Sequence, residues 1–462
     1  MKYMHRREIT VGLFALFHFL FLGIEYYFDG QMAYLTDAAG VVRAQSIVLA
    51  ASVLGFGLYT LVRKYRCSLR CVYGIEGVVF VAAVCCMVLL YMRTSYTEVL
   101  VCGCMMFVIL GMLGGASYEL AAGEWKQDAH MAGMIGLSYA LGLLLQYLHY
   151  TLIHTEILAI AVWVLMGLVW IGFQRSLLRG SAQVRLDMDR EDTHIDIRSV
   201  LCVSGCILGM TFIFATLDSV VTLYHANGDM DIGQWPRLFL ALSGVVAGFL
   251  YDVRERHYMH IIMYSVTVLS VICILLIVSD GSLMTGVIVF YLSAGFFVVY
   301  FTTVFMQMSA RSRCPAFWAG FGRVLNNIGA GVVGILYPVL FSKPDIVRIS
   351  VVVLLLFVWI SALQFFGTRR QREIPAVAAI EEVRTDRFDA FAKAWKLTPR
   401  ERDVLRALLD SDDSVQNIAD SLFISRAALY RHITSMNEKT NTKARIGLLQ
   451  FYYSWKENGD IG

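Results

Sequence analysis

The chain has 462 residues, of which 58% are hydrophobic, 13% aromatic and only 16% charged. Soluble domains carry about 25% charged residues, so a purely soluble globular protein is excluded, and the net charge of +3 leaves its meaning to local placement. Most of the ten cysteines lie in apolar runs, and Cys102-x-Cys104 has no His or carboxylate cluster beside it, so neither a metal site nor a cofactor is expected.

The basic start, Lys2, His5, Arg6 and Arg7, leads into an apolar run too long for a cleavable leader and reads as a signal anchor. Apolar stretches of about 18–25 residues, enough to cross the bilayer as helix, recur near 9–27, 41–62, 71–91, 98–119, 131–150, 156–174, 199–223, 234–252, 258–279, 282–306, 315–341 and 347–367. They predict an all-α polytopic bundle over residues 1–367, in contact with a lipid bilayer. An even number of spans puts both termini on one side. Leaving out Arg323, which lies within a span, the N-terminus and the loops on its side hold seventeen Lys/Arg, and the opposite loops hold five: Arg43, Arg93, Arg237, Lys343 and Arg348. The positive-inside rule makes the richer side cytoplasmic, for an inner-membrane protein with both termini inside.

The longest loop within the bundle, 174–198, divides the spans six plus six, and weak internal symmetry supports that division. AGMIGLSYALG (132–142) in span five matches AGFGRVLNNIG (319–329) in span eleven at its first two and last positions. GLYTLVRKYR (57–66) in span two is similar to GFLYDVRERH (248–257) in span eight. The six-plus-six arrangement, the central loop and Gly248…Asp252-x-Arg254-x-Arg256 resemble the major facilitator superfamily, where a G-x-x-x-D-R-x-G-R-R signature follows span two and recurs, degenerate, after span eight. The first copy here keeps Gly57 and Arg63 but has Leu61 in place of the acid. That departure counts against ordinary transport, because the resemblance gives this loop a gating role.

Ionisable groups inside spans cost several kcal/mol, so they are paired or functional. Glu25 in span one and Asp218 in span seven are equivalent at an offset of 193; Arg43 and Arg237, opening spans two and eight, are equivalent at 194. One reading is a structural ion pair within each helical hairpin. The other is a small-molecule site, since the resemblance places spans one and seven along a central cavity with Glu25 and Asp218 facing each other. Arg323, Asn326 and Asn327 form a second candidate ligand cluster in span eleven, where Arg323 has Glu119 or Glu124 as a possible partner and helix–helix hydrogen bonding is the alternative. His18 reads as a satisfied interior imidazole.

Residues 368–394 read as a linker. Arg369, Arg370 and Arg372 suit anionic head groups, and Val377, Ile380, Val383, Phe388, Phe391 and Trp395 fall near helical spacing, as an amphipathic connector that packs on the tail or on a partner chain. The tail, 395–462, starts a helix with the capping box Thr398-Pro399-Arg400-Glu401. Asp410–Ser414 reads as a turn, Ile418, Ala419 and Leu422 mark a short helix, and Phe423-Ile424-Ser425 forms a tight turn with Ser425 capping a third helix to about Lys439. A fourth helix follows from about Lys443 to Tyr453, which completes helix-turn-helix geometry.

Leu397 to Glu401, Val404-Leu405, Ile418-Ala419, Leu422, Ile424-Ser425, His432, Lys439 and Arg445 fall in register with the LuxR-type DNA-binding domain, which the tail resembles over nearly its whole length. Ala428-Leu429-Tyr430 stands where T-V-K is usual, which puts any carry-over of target sequence in doubt. The candidate contacts to double-stranded promoter DNA are Ser425, Arg426, Ala428, Leu429, Tyr430, Arg431, His432, Thr434, Lys439, Lys443 and Arg445, with Arg426, Tyr430 and Arg431 toward base edges and Thr434 and Lys439 toward phosphate. Ten Lys/Arg against nine Asp/Glu from 395 onward leave one tail nearly neutral. Electrostatic affinity is then weak, so DNA binding is expected as a homodimer through the fourth helix.

No Walker loop, kinase signature or receiver-type acid cluster is visible, so no enzyme is expected. The leading expectation is a membrane-bound one-component transcriptional regulator. The alternatives are a secondary transporter with a regulatory DNA-binding tail, and a tail that serves protein interaction.

Overall fold

The computed structural model describes residues 2–65, 69–126, 128–181, 197–228, 235–278, 283–310, 312, 314–341, 355–362, 388–410, 415–422 and 424–455. The chain separates into two compact units, Met1–Gly367 and Thr368–Gly462. Among the described residues both are helical, without strands.

The first unit contains α1 (Lys2–Ala33), α2 (Ala38–Lys64), α3 (Leu69–Met92), α4 (Tyr96–Trp125), α5 (Met131–Leu152), α6 (Glu156–Ser181), α7 (Ile197–Ala226), α8 (Pro236–Asp252), α9 (Met259–Val278), α10 (Leu283–Ala310) and α11 (Pro315–Phe341). Residues 355–362, within the twelfth expected span, are helical as well. Among the described residues, eight helices, α1 to α7 and α10, are long and apolar enough to cross a membrane.

Local chemistry sets where they begin. The Asp37 carboxylate accepts the Gly40 amide at 2.8 Å and opens α2, the Ser95 hydroxyl accepts the Glu98 amide at 3.3 Å and opens α4, and Pro236 supplies the first turn of α8. Within the helices, hydroxyls such as Ser117, Ser138, Thr211 and Thr303 donate to carbonyls four residues back, so they need no water.

Helix α1 lies at the centre, with Phe14 and Phe28 wholly buried, and packs on α4, α5 and α6. The two halves meet in a pseudo-symmetric way: α2 packs on α11, and its counterpart α8 packs on α5. The α5–α8 crossing is close because the motif residue Gly248 has no side chain; a methyl there would come within 2.6 Å of the Ala132 carbonyl oxygen. Helices α3 and α6 turn Val78, Val81, Leu158 and Leu165 outward, an apolar rim suited to lipid.

The second unit contains α12 (Pro399–Asp410), α13 (Val415–Ser421), α14 (Arg426–Thr440) and α15 (Ala444–Ser454), preceded by helical residues 388–394. Its core joins Leu397, Val404, Leu405 and Leu408 of the start and α12, Ile418 and Ala419 of α13, Leu429, Ile433 and Met436 of α14, and Leu448 and Tyr452 of α15. Phe391 is wholly buried there, against Tyr452 at 5.0 Å and Trp455 at 5.4 Å between ring centroids. Of the expected connector, Phe388, Phe391 and Trp395 thus pack on the tail; Val377, Ile380 and Val383, the basic residues Arg369 to Arg372, the 411–414 turn and Phe423 lie outside the described residues.

Candidate nucleic-acid interface and buried polar cluster

Helix α14 is amphipathic, and its two faces sort the candidate DNA contacts. Leu429, Ile433, Met436 and Thr440 recur at three to four residues and are buried. The opposite stripe, Arg426, Tyr430 and Thr434, is exposed, with Arg431 beside it and Ala427 on the same side. Arg426 lies over the Tyr430 ring at 5.8 Å. Ala428 and His432 are half-buried at the flank. The Ser425 hydroxyl accepts the Ala428 amide at 3.2 Å and fixes the helix start. After the left-handed Asn441 at φ 53°, Lys443 stands exposed at the N-cap of α15 and Arg445 is half-buried.

Two of the expected contacts are corrected. Leu429 has 0% exposure and belongs to the domain core, because it shares the Ile433–Met436 face. Lys439 does not reach for phosphate: its Nζ donates to Glu401 Oε2 at 2.6 Å and to the Lys396 carbonyl at 3.2 Å.

Glu401 is the partner that sequence spacing alone does not reveal. Its carboxylate accepts the Thr398 amide at 2.7 Å while the Thr398 hydroxyl accepts the Glu401 amide at 3.3 Å, a reciprocal capping box. It also accepts the Ser435 hydroxyl at 2.7 Å, so one carboxylate ties α12 to α14. Burial alone would raise its pKa; Lys439, the Thr398 amide and Ser435 outweigh that and hold it down at about 2.

In the bundle, Glu25, Asp218, Arg237 and Arg323 come within electrostatic reach of one another. Sequence reasoning missed Asp29, one turn beyond Glu25, which joins Glu25, Asp218 and Arg237. Tyr139 and Tyr291 border the same charges. Glu25 accepts the Gln45 amide at 3.1 Å, and Arg237 lies over the Tyr26 ring at 4.8 Å. Arg237 also lines a cavity of about 460 Å³ with Tyr26, Gln31, His149, Glu156 and Trp163. Arg323 is 7% exposed, lies over the Phe21 ring at 4.6 Å, and its Nε has no hydrogen-bond partner. His18 Nδ1 bonds the Phe14 carbonyl at 2.8 Å.

Several expected pairings fail. Arg43 is exposed and is not among the groups that act on Glu25, whereas its counterpart Arg237 acts on Asp218. The equivalence broke because Arg43 lies five residues beyond the start of α2, whereas Arg237 lies one beyond the start of α8. Arg323 does not pair with Glu119 or Glu124, since Arg63 and Tyr59 take Glu119 and Arg6 takes Glu124. Asn327 is wholly buried and donates to the Ser52 hydroxyl at 2.7 Å, a contact between α11 and α2; Asn326, half-buried, donates to Asn327 at 3.3 Å.

The motif acid Asp252 accepts the amides of Ala132 and Gly133 at 3.1 and 2.6 Å. Helix α5 has no side-chain cap from its own His130, so the other half caps it. Arg256 extends the clasp to the carbonyls of Asp128 and Ala129, each at 3.2 Å. Arg254, Glu255 and Arg256 all hold positive φ, between 47° and 71°, a turn that non-glycine residues adopt only under tertiary constraint.

Residues 396–452 match the family described as "GerE: Bacterial regulatory proteins, luxR family". No curated protein sequence matches the chain. Among solved structures, the human organic anion transporter MFSD10 (TETRAN) aligns with a TM-score of 0.50 and 14% identity over 77% of this chain and 98% of that one. A Major Facilitator Superfamily transporter, FucP, in the outward conformation aligns with a TM-score of 0.48 and 15% identity over 79% of this chain and 99% of that one. The first likeness establishes fold and says nothing of substrate. Residues 396–452 are therefore similar to the LuxR-family regulatory domain, and the helical unit before them shares the fold of a Major Facilitator-type transporter structure.

Proposed function

We propose that this protein is a membrane-bound one-component transcriptional regulator. The bundle senses a small molecule or a membrane signal, and the tail binds promoter DNA as a dimer. The observation that carries this is the pairing of an exposed Arg426–Tyr430–Arg431 face on a LuxR-type tail with charges buried in the bundle. The charge asymmetry of the loops supports an inner-membrane location with both termini in the cytoplasm, the only side from which the tail reaches DNA. The near-neutral tail supports dimerisation as the switch: one copy gains little from phosphates, and two copies gain base contacts at half-sites about one DNA turn apart. Both units are of non-enzymatic kinds, and we assign no catalysis to the chain.

A promoter reporter in cells tests the sensing role. Glu25→Gln with Asp218→Asn should leave membrane insertion intact and change the response to an inducer; a response identical to wild type overturns it. The intact Asp252 clasp between the halves favours a second reading, a transporter whose tail regulates its own operon. Uptake into vesicles by residues 1–367 alone would establish that reading.

A further inference from the structure

We propose that the polar cluster of the bundle is built for a small zwitterion, a molecule of amino-acid type with an amine and a carboxylate. The inference rests on the sensing role above and names the chemistry of its ligand.

His18, Phe21, Glu25 and Asp29 are spaced by three, four and four residues and share one face of α1. Arg323 sits at the level of Phe21. At about 1.5 Å per residue, Glu25 and Asp29 lie roughly 6 and 12 Å farther along the axis. Charge is therefore graded along this face of α1. A guanidinium stands at one level, and the carboxylates of Glu25, Asp29 and Asp218 gather at the next, with Arg237 among them.

Each end keeps one buried polar atom without a hydrogen bond. Arg323 is 7% exposed with an unpartnered Nε, and Asp29 is 8% exposed with an unpartnered Oδ1. Buried charge left in that state is costly, so a partner is expected. A cation alone would answer the carboxylate in excess over Arg237 and Arg323 but leave the Arg323 Nε without an acceptor. An anion alone would answer Arg323 but add a fourth negative charge to the group. Protons on the carboxylates would reduce their repulsion and still leave the Arg323 donor unmet. A molecule carrying both signs answers both ends at once. The axial step of one to two helical turns, shortened by side chains reaching inward, suits an α-amino acid or a short ω-amino acid. Tyr139 and Tyr291 supply hydroxyls and ring faces beside it.

The test uses the full chain in lipid nanodiscs, titrated with the twenty amino acids and γ-aminobutyrate while thermal unfolding and heat of binding are read. Tyramine and 4-hydroxyphenylpropionate serve as amine-only and acid-only analogues of tyrosine, with amino acid esters and N-acetyl derivatives for the others. At least one zwitterion should bind, and each of its singly charged analogues should bind about tenfold or more weakly. Arg323→Gln should abolish the preference over the amine-only analogue, and Asp29→Asn the preference over the acid-only one. Arg323→Lys, which keeps the charge, should retain part of the preference and guards against a folding defect in the glutamine variant. A singly charged analogue binding as tightly as its zwitterion overturns the proposal, as does a folded wild type that binds none of the zwitterions. If the promoter reporter responds to a singly charged compound, the sensing role stands and this inference falls. If Glu25→Gln with Asp218→Asn leaves the reporter unchanged, the sensing role itself falls.

Discussion

The Glu401 carboxylate closes the first turn of α12, holds Ser435 of α14 and anchors Lys439, with its side chain only 4% exposed. Removing the cation while keeping the buried carboxylate should be costly: Lys439→Met should destabilise the tail by on the order of 3 kcal/mol in chemical denaturation. The pH dependence has a definite sign. Glu401 ordinarily titrates near 4.5 and is held at about 2 in the fold, so its contribution is complete above about pH 5 and drains away as pH falls through 2. That contribution is on the order of 3 kcal/mol, and Glu401→Gln should flatten the acid limb of the tail's stability curve. The capping half of this arrangement is legible in Thr398-Pro399-Arg400-Glu401, because a capping box is local. The Lys439 half is not, because 38 residues separate the partners. Leu429 was readable: with Ile433 and Met436 it follows the helical repeat of a buried face, and the family register hid what periodicity states.

At the scale of elements, α14 presents one face and buries the other, so losing the exposed arginines should leave the fold intact. Arg426→Ala with Arg431→Ala should weaken DNA binding by the tail and lower its salt slope by about two if both meet phosphate, or relax base preference if they read bases. A gel shift across a salt series separates these outcomes, and unchanged binding would remove this face from the interface. The helical segment 388–394 is tied to α15 through Phe391, Tyr452 and Trp455, so the residues entering the tail are held to its closing helix. Phe391→Ala should cost about 3–5 kcal/mol of tail stability, read by denaturant unfolding. In the bundle, Asp252→Ala should raise hydrogen exchange at the first turn of α5, because the Ala132 and Gly133 amides lose their acceptor. Helix positions were legible from apolar run length and cap residues. Helix rotation was not: Arg43 and Arg237 are equivalent by offset, yet one faces outward and the other joins the cluster. An offset fixes register along the chain and leaves the azimuth to packing.

At the scale of the whole molecule, a polytopic helical bundle and a LuxR-type tail were both legible in the sequence, through repeated apolar runs and through a motif of fixed spacing. The buried cluster was visible only in part, since Glu25 and Asp218 are intramembrane acids by inspection, whereas the place of Arg323 beside them depends on other arginines having taken Glu119 and Glu124. On the proposed function, a chain held in the membrane occupies promoters through α14. Genome-wide crosslinking of the full-length protein to DNA, wild type beside Arg426→Ala with Arg431→Ala, tests it most directly. Discrete promoter peaks should appear in the wild type and vanish in the variant while its amount in the membrane is unchanged; equal occupancy in the two, or no promoter peaks in either, would show that α14 does not carry promoter binding.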